Sequence, residues 1–232
     1  MVSRYVRDLI ARRIAGDIVW SKDIGKSLKK WRELFNILQI DLAKAMNVSP
    51  SVISDYEKGR RVPGAKFIKR FVDALLKIDE ERGWIVVRNL AKAMNIANPA
   101  IVDMREFDKP INIDLLVKSV KGVLLSAKIF LRPIYGYTVL DSIEAIESLS
   151  GSEFFQIMGM TTQRALVFTH VTTGRSPMVA VRVSPLKPAV VVIHGTRKVD
   201  PLAIRLAERE NIAFILSLHN TVGDLINGLS SL

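Results

Sequence analysis

Between Gln39 and Lys58 two short helical patterns follow one another with almost no chain between them. That spacing constrains the fold more than any other feature of the sequence. Gln39–Met46 (QIDLAKAM) is the first pattern. Ser49 and Pro50 open the second, because serine is favoured at an N-cap and proline at the first helical position. Gly59 is placed to end it in a left-handed conformation. Asn47 and Val48 leave room only for a tight turn, and asparagine tolerates the left-handed backbone such a turn needs. Ala43 is small where the two helices would cross. At about 100° per residue, Val52, Ile53, Tyr56 and Glu57 share one half of the second helix, and Pro50, Ser51, Ser54, Asp55 and Lys58 the other. The outward half is therefore small and polar, and it runs into Lys58, Arg60 and Arg61.

Taken alone, Val48–Gly64 also fits a capped surface helix with a basic tail. The helical pattern of Leu28–Phe35 (LKKWRELF) and the pattern after it favour another reading, a helix-turn-helix whose second helix enters the major groove of DNA. The run SLKKWRELFNILQIDLAKAMNVSPSVISDYEKGRRVP resembles the DNA-binding domain shared by lambdoid phage repressors, Cro proteins and Xre-type regulators. The matching residues are Gln39, Leu42, Ala43, Val48, Ser49, Ile53, Ser54, Glu57, Gly59 and Pro63, and the resemblance covers Ile24 to Ile78. It implies that Gln39 contacts backbone phosphate and that Pro50, Ser51, Ser54 and Asp55 face base edges. It also implies that Arg32 and Glu57 form an inward ion pair joining the first helix to the recognition helix. Two positions depart from the family: Leu38 stands where Ser or Thr is common, which weakens the cap of that helix, and Asn47 stands where Gly is common.

Charge points the same way. The chain carries a formal net charge of +11, and residues 21–70 hold twelve Lys/Arg against five Asp/Glu, a net +7. A clustered basic excess of this kind is the footprint of a phosphate-binding surface, to which Lys58, Arg60 and Arg61 belong. The absence of cysteine excludes disulfides, a thiol nucleophile and a cysteine zinc site. The N-terminal MVSRYVRDLIARRIAG reads as an arginine-rich amphipathic helix with Val6, Leu9, Ile10 and Ile14 on one face, not as a signal peptide. It is expected to pack on the helix-turn-helix or on a partner chain. No run reaches the roughly 18 apolar residues of a membrane span, so a cytoplasmic protein with no membrane partner is expected.

The fold class expected is α plus α/β: an N-terminal all-α helix-turn-helix bundle followed by a small α/β domain. The expected divisions are an N-terminal helix (1–20), the helix-turn-helix domain (21–82), a helical connector (83–135) and the α/β domain (136–232). Within the connector, Asp103–Asp114 reads as a boundary broken by Pro110. Ile111–Phe130 reads as a long helix able to connect or dimerise, followed by a turn at RPIYGY. In the last part Thr138–Leu149 reads as a helix capped by Thr138. FFQIMGM, RALVFTHV and MVAVRV read as strands, the last two joined by a hairpin loop TTGRSP. AVVVIHGT and AFILSLHN read as parallel strands around a helix from Pro201 capped by Asp200. The run VVVIHGT…VDPLAIRLAERENIAFILS resembles in pattern the small α/β module called DRTGG, whose naming motif is absent.

At the carboxyl ends of such strands, where open α/β sheets bind ligands, stand His194, Thr196, Asp200, His219 and Asn220, the candidate ligand-binding residues. No phosphate loop, GxSxG elbow or HExxH occurs, and His170, His194 and His219 lack metal-ligand spacing. Catalysis, a metal and a cofactor are therefore not expected. The partners expected are double-stranded DNA, a second copy of the chain and a small-molecule effector. A transcriptional regulator is the function expected, with an antitoxin-like or basal-factor adaptor and a DNA-tethered enzyme as alternatives.

Overall fold

The computed structural model describes residues 2–94, 98–126, 132–160 and 163–232. The chain divides into two compact units, Met1–Ala97 and Asn98–Leu232.

The first unit is all-helical: α1 (Arg4–Trp20), α2 (Ile24–Leu34), α3 (Gln39–Ala45), α4 (Pro50–Glu57), α5 (Ala65–Glu81) and α6 (Ile85–Ala93). In α1, Val6, Ile10, Ile14 and Ile18 recur every four residues and are buried with Tyr5, the spacing of one helical face. That face packs within its own unit, against α2, α5 and α6. Asp17 ties α1 to α2, accepting from Lys30 Nζ (2.5 Å), Trp31 Nε1 (2.7 Å) and Ser27 Oγ (3.4 Å). Asp79, on α5, is buried and accepts from the amides of Val86 (3.0 Å) and Val87 (2.9 Å). It thereby satisfies the free N–H groups at the start of α6, which Trp84 enters in a left-handed conformation (φ 63°).

The second unit is built on a six-stranded sheet in the order β1-β3-β4-β5-β6-β2. Strands β3 (Ile134–Asp141), β4 (Ala165–Thr169), β5 (Val190–Ile193) and β6 (Ala213–Ser217) are mutually parallel. β1 (Ile101–Ile111) and β2 (Gly122–Leu124) pair antiparallel with β3 and β6 at the two edges. The four inner strands are buried on both faces, as parallel sheets usually are. One face, with Val139, Val167, Val192 and Ile215, packs on α7 (Ile113–Ser119) and α12 (Val222–Ser230) through Leu116, Leu225 and Leu229. α10 (Arg175–Val183) and α11 (Pro201–Arg209), with α8 (Ser142–Ser148) and α9 (Gly151–Met160), link the parallel strands. The α plus α/β class is thus what the chain adopts.

Several local readings are corrected. Asp103–Asp114 is not a boundary: most of it is β1, with Asp103 buried under the Tyr137 hydroxyl (2.7 Å) and Glu106, Asp108, Lys109 and Pro110 on the exposed rim that an edge strand tolerates. The segment read as a helix over Ile111–Phe130 gives α7 and then β2; residues 127–130 lie outside the described residues. Lys121 turns left-handed (φ 46°) between them. RPIYGY leads into β3 rather than a turn, and Gly136 is required there, since a Cβ would lie 2.3 Å from Arg105 O of β1. Thr138 is a buried strand residue; the helix after it is capped by Asp141, which accepts from Ile143 N (3.0 Å) and Glu144 N (3.2 Å).

FFQIMGM is part of α9, not a strand. Ser150 and Glu153 form a capping box, with Glu153 Oε2 accepting from Ser150 N (2.9 Å) and Ser150 Oγ from Glu153 N (3.3 Å). MVAVRV lies in α10, and TTGRSP is no hairpin loop, because the parallel pairing of β4 with β5 demands a crossover between them. The expected helical connector over 83–135 therefore contributes two strands to the sheet.

Candidate nucleic-acid interface

The helix-turn-helix is formed by α3 and α4, with Asn47 in the left-handed conformation (φ 51°) at the turn and Gly59 (φ 69°) ending α4. α4 is held from three sides. Arg32 of α2 meets Glu57 in a two-pronged ion pair, Nε to Oε1 at 2.6 Å and Nη2 to Oε2 at 2.9 Å, with both residues 7% exposed. Arg32 Nη1 also donates to Ile37 O (2.8 Å), and Gln39 Nε2 donates to Glu57 Oε2 (2.7 Å). The hydrogen bonds from Glu57 push the Arg32 guanidinium above its ordinary range, against the effect of burial, so it stays charged. On the second side Tyr56 packs on Phe67 of α5, with ring centroids 3.9 Å apart.

The third side was not anticipated from sequence. Gly25, on α2, faces the carboxyl end of α4, where a Cβ would lie 2.7 Å from Tyr56 O and 2.8 Å from Glu57 O. Only glycine lets the two backbones approach so closely. Nothing in its immediate neighbours signals this, since the contact is made 31 or more residues along the chain.

The opposite side of α4 is open. Pro50, Ser51, Lys58, Arg60 and Arg61 are exposed, and Ser54 and Asp55 half-buried. Ser49 stands at the N-cap but its hydroxyl pairs with Ser51 Oγ (2.8 Å) rather than with a backbone amide. Asp55 lies between the two arginines, its Oδ1 3.3 Å from Arg60 Nη1 and its Oδ2 3.7 Å from Arg61 Nε. Gln39 is half-buried at the start of α3, behind Leu38, which supplies no side-chain cap.

In the second unit, His194, Thr196, His219 and Asn220 line a cleft of about 510 Å³ at the carboxyl ends of β5 and β6. Asp200 is not among its lining residues and is committed elsewhere. Its Oδ1 accepts from Leu202 N (2.8 Å) as the cap of α11, and its Oδ2 from Arg175 Nε (2.7 Å). The Leu202 amide, and after it Arg175, hold this carboxyl below its ordinary range. Thr196 Oγ1 braces its own loop, donating to Thr172 O (2.6 Å). His219 Nε2 donates to Ser119 O (2.9 Å). The described residues hold no cluster of three or more His, Asp or Glu arranged to take a metal ion, and no helix among them is long and apolar enough to cross a membrane.

The helix-turn-helix family model matches residues 28–77. Among solved structures, the chain is similar to the CBS and DRTGG domains of the regulatory region of Clostridium perfringens pyrophosphatase complexed with its activator, diadenosine tetraphosphate. The TM-score is 0.37 at 12% identity, over 51% of this chain and 47% of that one. Over 53 residues (23% of this chain, 35% of the relative) it is 38% identical to multiprotein-bridging factor 1 of Debaryomyces hansenii. Two archaeal relatives match almost end to end, both named HTH-type transcriptional regulators. One, from Methanocaldococcus jannaschii, is 48% identical over 96% of this chain and 94% of its own length. The other, from Archaeoglobus fulgidus, is 45% identical over 95% of this chain and 96% of its own length. With that identity carried through both units, the chain belongs to this family of helix-turn-helix-type transcriptional regulators.

Proposed function

We propose that the protein regulates transcription in the cytoplasm by binding specific double-stranded DNA as a homodimer, with α4 in the major groove. One observation carries this reading. α4 is pinned from behind by the buried Arg32–Glu57 pair and by Gln39, while its other side is short, polar and open and ends in Lys58, Arg60 and Arg61. A helix so fixed can present Pro50, Ser51 and Ser54 to base edges at little entropic cost, while the basic run meets phosphate. Gln39, whose amide Nε2 has one hydrogen on Glu57, keeps a second N–H for a phosphate oxygen. Asp55 serves in this arrangement by positioning Arg60 and Arg61. One helix-turn-helix reads few bases, and two-fold pairing on palindromic half-sites is the usual remedy.

The test is selection of bound duplexes from a random pool by the full chain, with light scattering of the same sample. The expected outcome is a two-fold symmetric motif and twice the monomer mass. Unselective recovery of sequences would refute the reading. A second reading, in which the helical unit chiefly binds protein, is favoured by the likeness to multiprotein-bridging factor 1 over 53 residues. It predicts no enriched motif and undiminished partner binding after Arg60→Ala and Arg61→Ala.

A further inference from the structure

The chain contains three histidines, and all three follow the ends of neighbouring parallel strands: His170 after β4, His194 after β5 and His219 after β6. Two of them are anchored. His170 Nδ1 lies 2.9 Å from Asp141 Oδ2, and His219 Nε2 lies 2.9 Å from Ser119 O. His194 differs. It is 5% exposed, it lines the cleft, and its Nδ1 has no hydrogen-bond partner among the described residues. Buried polar groups are almost always paired, so an orphan lining a cleft points to something that binds there.

The surroundings define what that is. Gly195 turns left-handed (φ 101°) beside the histidine and keeps the backbone bare. Arg197 and Asn220 line the cleft from the two loops, and Leu218 gives it an apolar wall. α12, nine residues long, begins just beyond Asn220 with the positive end of its dipole. The carboxylates of this edge are all engaged. Asp141 is on His170, Asp200 on Arg175 and the amide of Leu202, and Asp224 accepts from Thr221 Oγ1 (2.7 Å). Lys198 adds a further positive charge in the β5–α11 loop. The volume, about 510 Å³, falls in the range of small-molecule sites.

We propose that this cleft binds a small organic anion bearing a phosphate or carboxylate group, with His194 Nδ1–H as its buried donor and Arg197 as its counter-charge. The inference names the ligand class of the regulator proposed above and rests on that reading for its role as an effector site. Burial, then the nearby His219 and His170, hold His194 below its ordinary range, which favours its neutral form while the cleft is empty. A bound anion reverses that field and favours the imidazolium. Binding then takes up a proton, and affinity rises as pH falls, by at most about tenfold per pH unit.

With only three histidines, their ring nitrogens can be followed individually by NMR in the full chain. Adenosine monophosphate, succinate and inorganic phosphate are titrated separately at pH 6 and pH 8. The expected result is a saturable shift of the His194 resonances with one of the two organic anions. That affinity should be greater at pH 6, weakened at least about tenfold in Arg197→Ala, whose exposed site should not disturb folding, and lost in His194→Leu, where the His170 and His219 resonances are the reporters. Saturation by the adenylate alone identifies a phosphate ligand, and by succinate alone a carboxylate. No His194 response to either organic anion, or a pH-independent response of His170 and His219 that survives in His194→Leu, would overturn the proposal. DNA affinity of the same variants without added anion is measured in parallel. Its failure would count against the DNA-binding reading while leaving the anion result standing.

Discussion

Replacing Glu57 by alanine strands Arg32. The guanidinium, 7% exposed in the intact protein, would keep its bond to Ile37 O and the longer contact of Nη2 with the half-exposed Glu33 Oε1 (3.8 Å), but lose both contacts to Glu57, at 2.6 and 2.9 Å. At an effective dielectric near 20, unit charges about 4 Å apart attract by about 4 kcal/mol, and removing one member of a buried pair typically costs about 3–5 kcal/mol. Gln39 also loses its acceptor. For a unit of this size a loss of about 4 kcal/mol lowers the unfolding midpoint by some 15–30 °C, at roughly 4–8 °C per kcal/mol. Replacing both residues together, Arg32→Met with Glu57→Leu, leaves no orphaned charge and should cost much less than the sum of the single changes. The assay is selective, because all three tryptophans, Trp20, Trp31 and Trp84, belong to the first unit. Urea titrations followed by tryptophan fluorescence therefore report that unit in the full chain. Small and additive losses in the double-mutant cycle would refute the claim that this pair locks α4 in place.

Gly25→Ala should cost about 1–3 kcal/mol by the same fluorescence assay, because the new methyl meets fixed backbone of α4. It should also lower DNA affinity, and an unchanged affinity would show that α4 need not be held at that end. Arg61→Ala should weaken binding to all sequences alike and reduce the slope of log affinity against log salt by about 1; a slope left unchanged argues against a phosphate contact. Asp55→Ala should lower affinity for all sequences together and leave the selected motif intact, since its carboxylate lies between Arg60 and Arg61; loss of preference at one base pair per half-site would make it a base reader. Folded His194 is held below its ordinary value, so the unfolded chain binds more protons near and below pH 6.5. Stability should therefore fall as pH drops below about 6.5 and level off above it, a dependence that calorimetry should find flattened in His194→Asn.

The helical unit could be read from sequence because its determinants are local. Ser49-Pro50, Asn47 and Gly59 each act through their own backbone, and the period of α1 is visible in four residues spaced by four. In the second unit the same local reasoning failed wherever tertiary pairing decided the outcome. Met178–Val183 is rich in valine and reads as a strand, yet it lies between two strands that pair in parallel and so must cross over as a helix. The capping box Ser150–Glu153 was available in the sequence and would have identified α9. β1 escaped notice because an edge strand carries charge and proline, which elsewhere mark loops.

The candidate sites divide along the same line. The pattern of α4 assigned its faces, since one helical period sorts Glu57 from Ser51. What no period could supply is the state of each group once placed. Asp200 and His194 both stand after β5, and sequence treats them alike. In the structure Asp200 spends its oxygens on Leu202 and Arg175, while His194 is buried with an unpaired nitrogen. A carboxylate already capping a helix and paired with arginine has little left to offer a ligand. A buried imidazole without a partner gains most from one, and this difference in satisfaction, rather than proximity to the strand ends, separates a residue that builds the cleft's rim from one suited to bind within it.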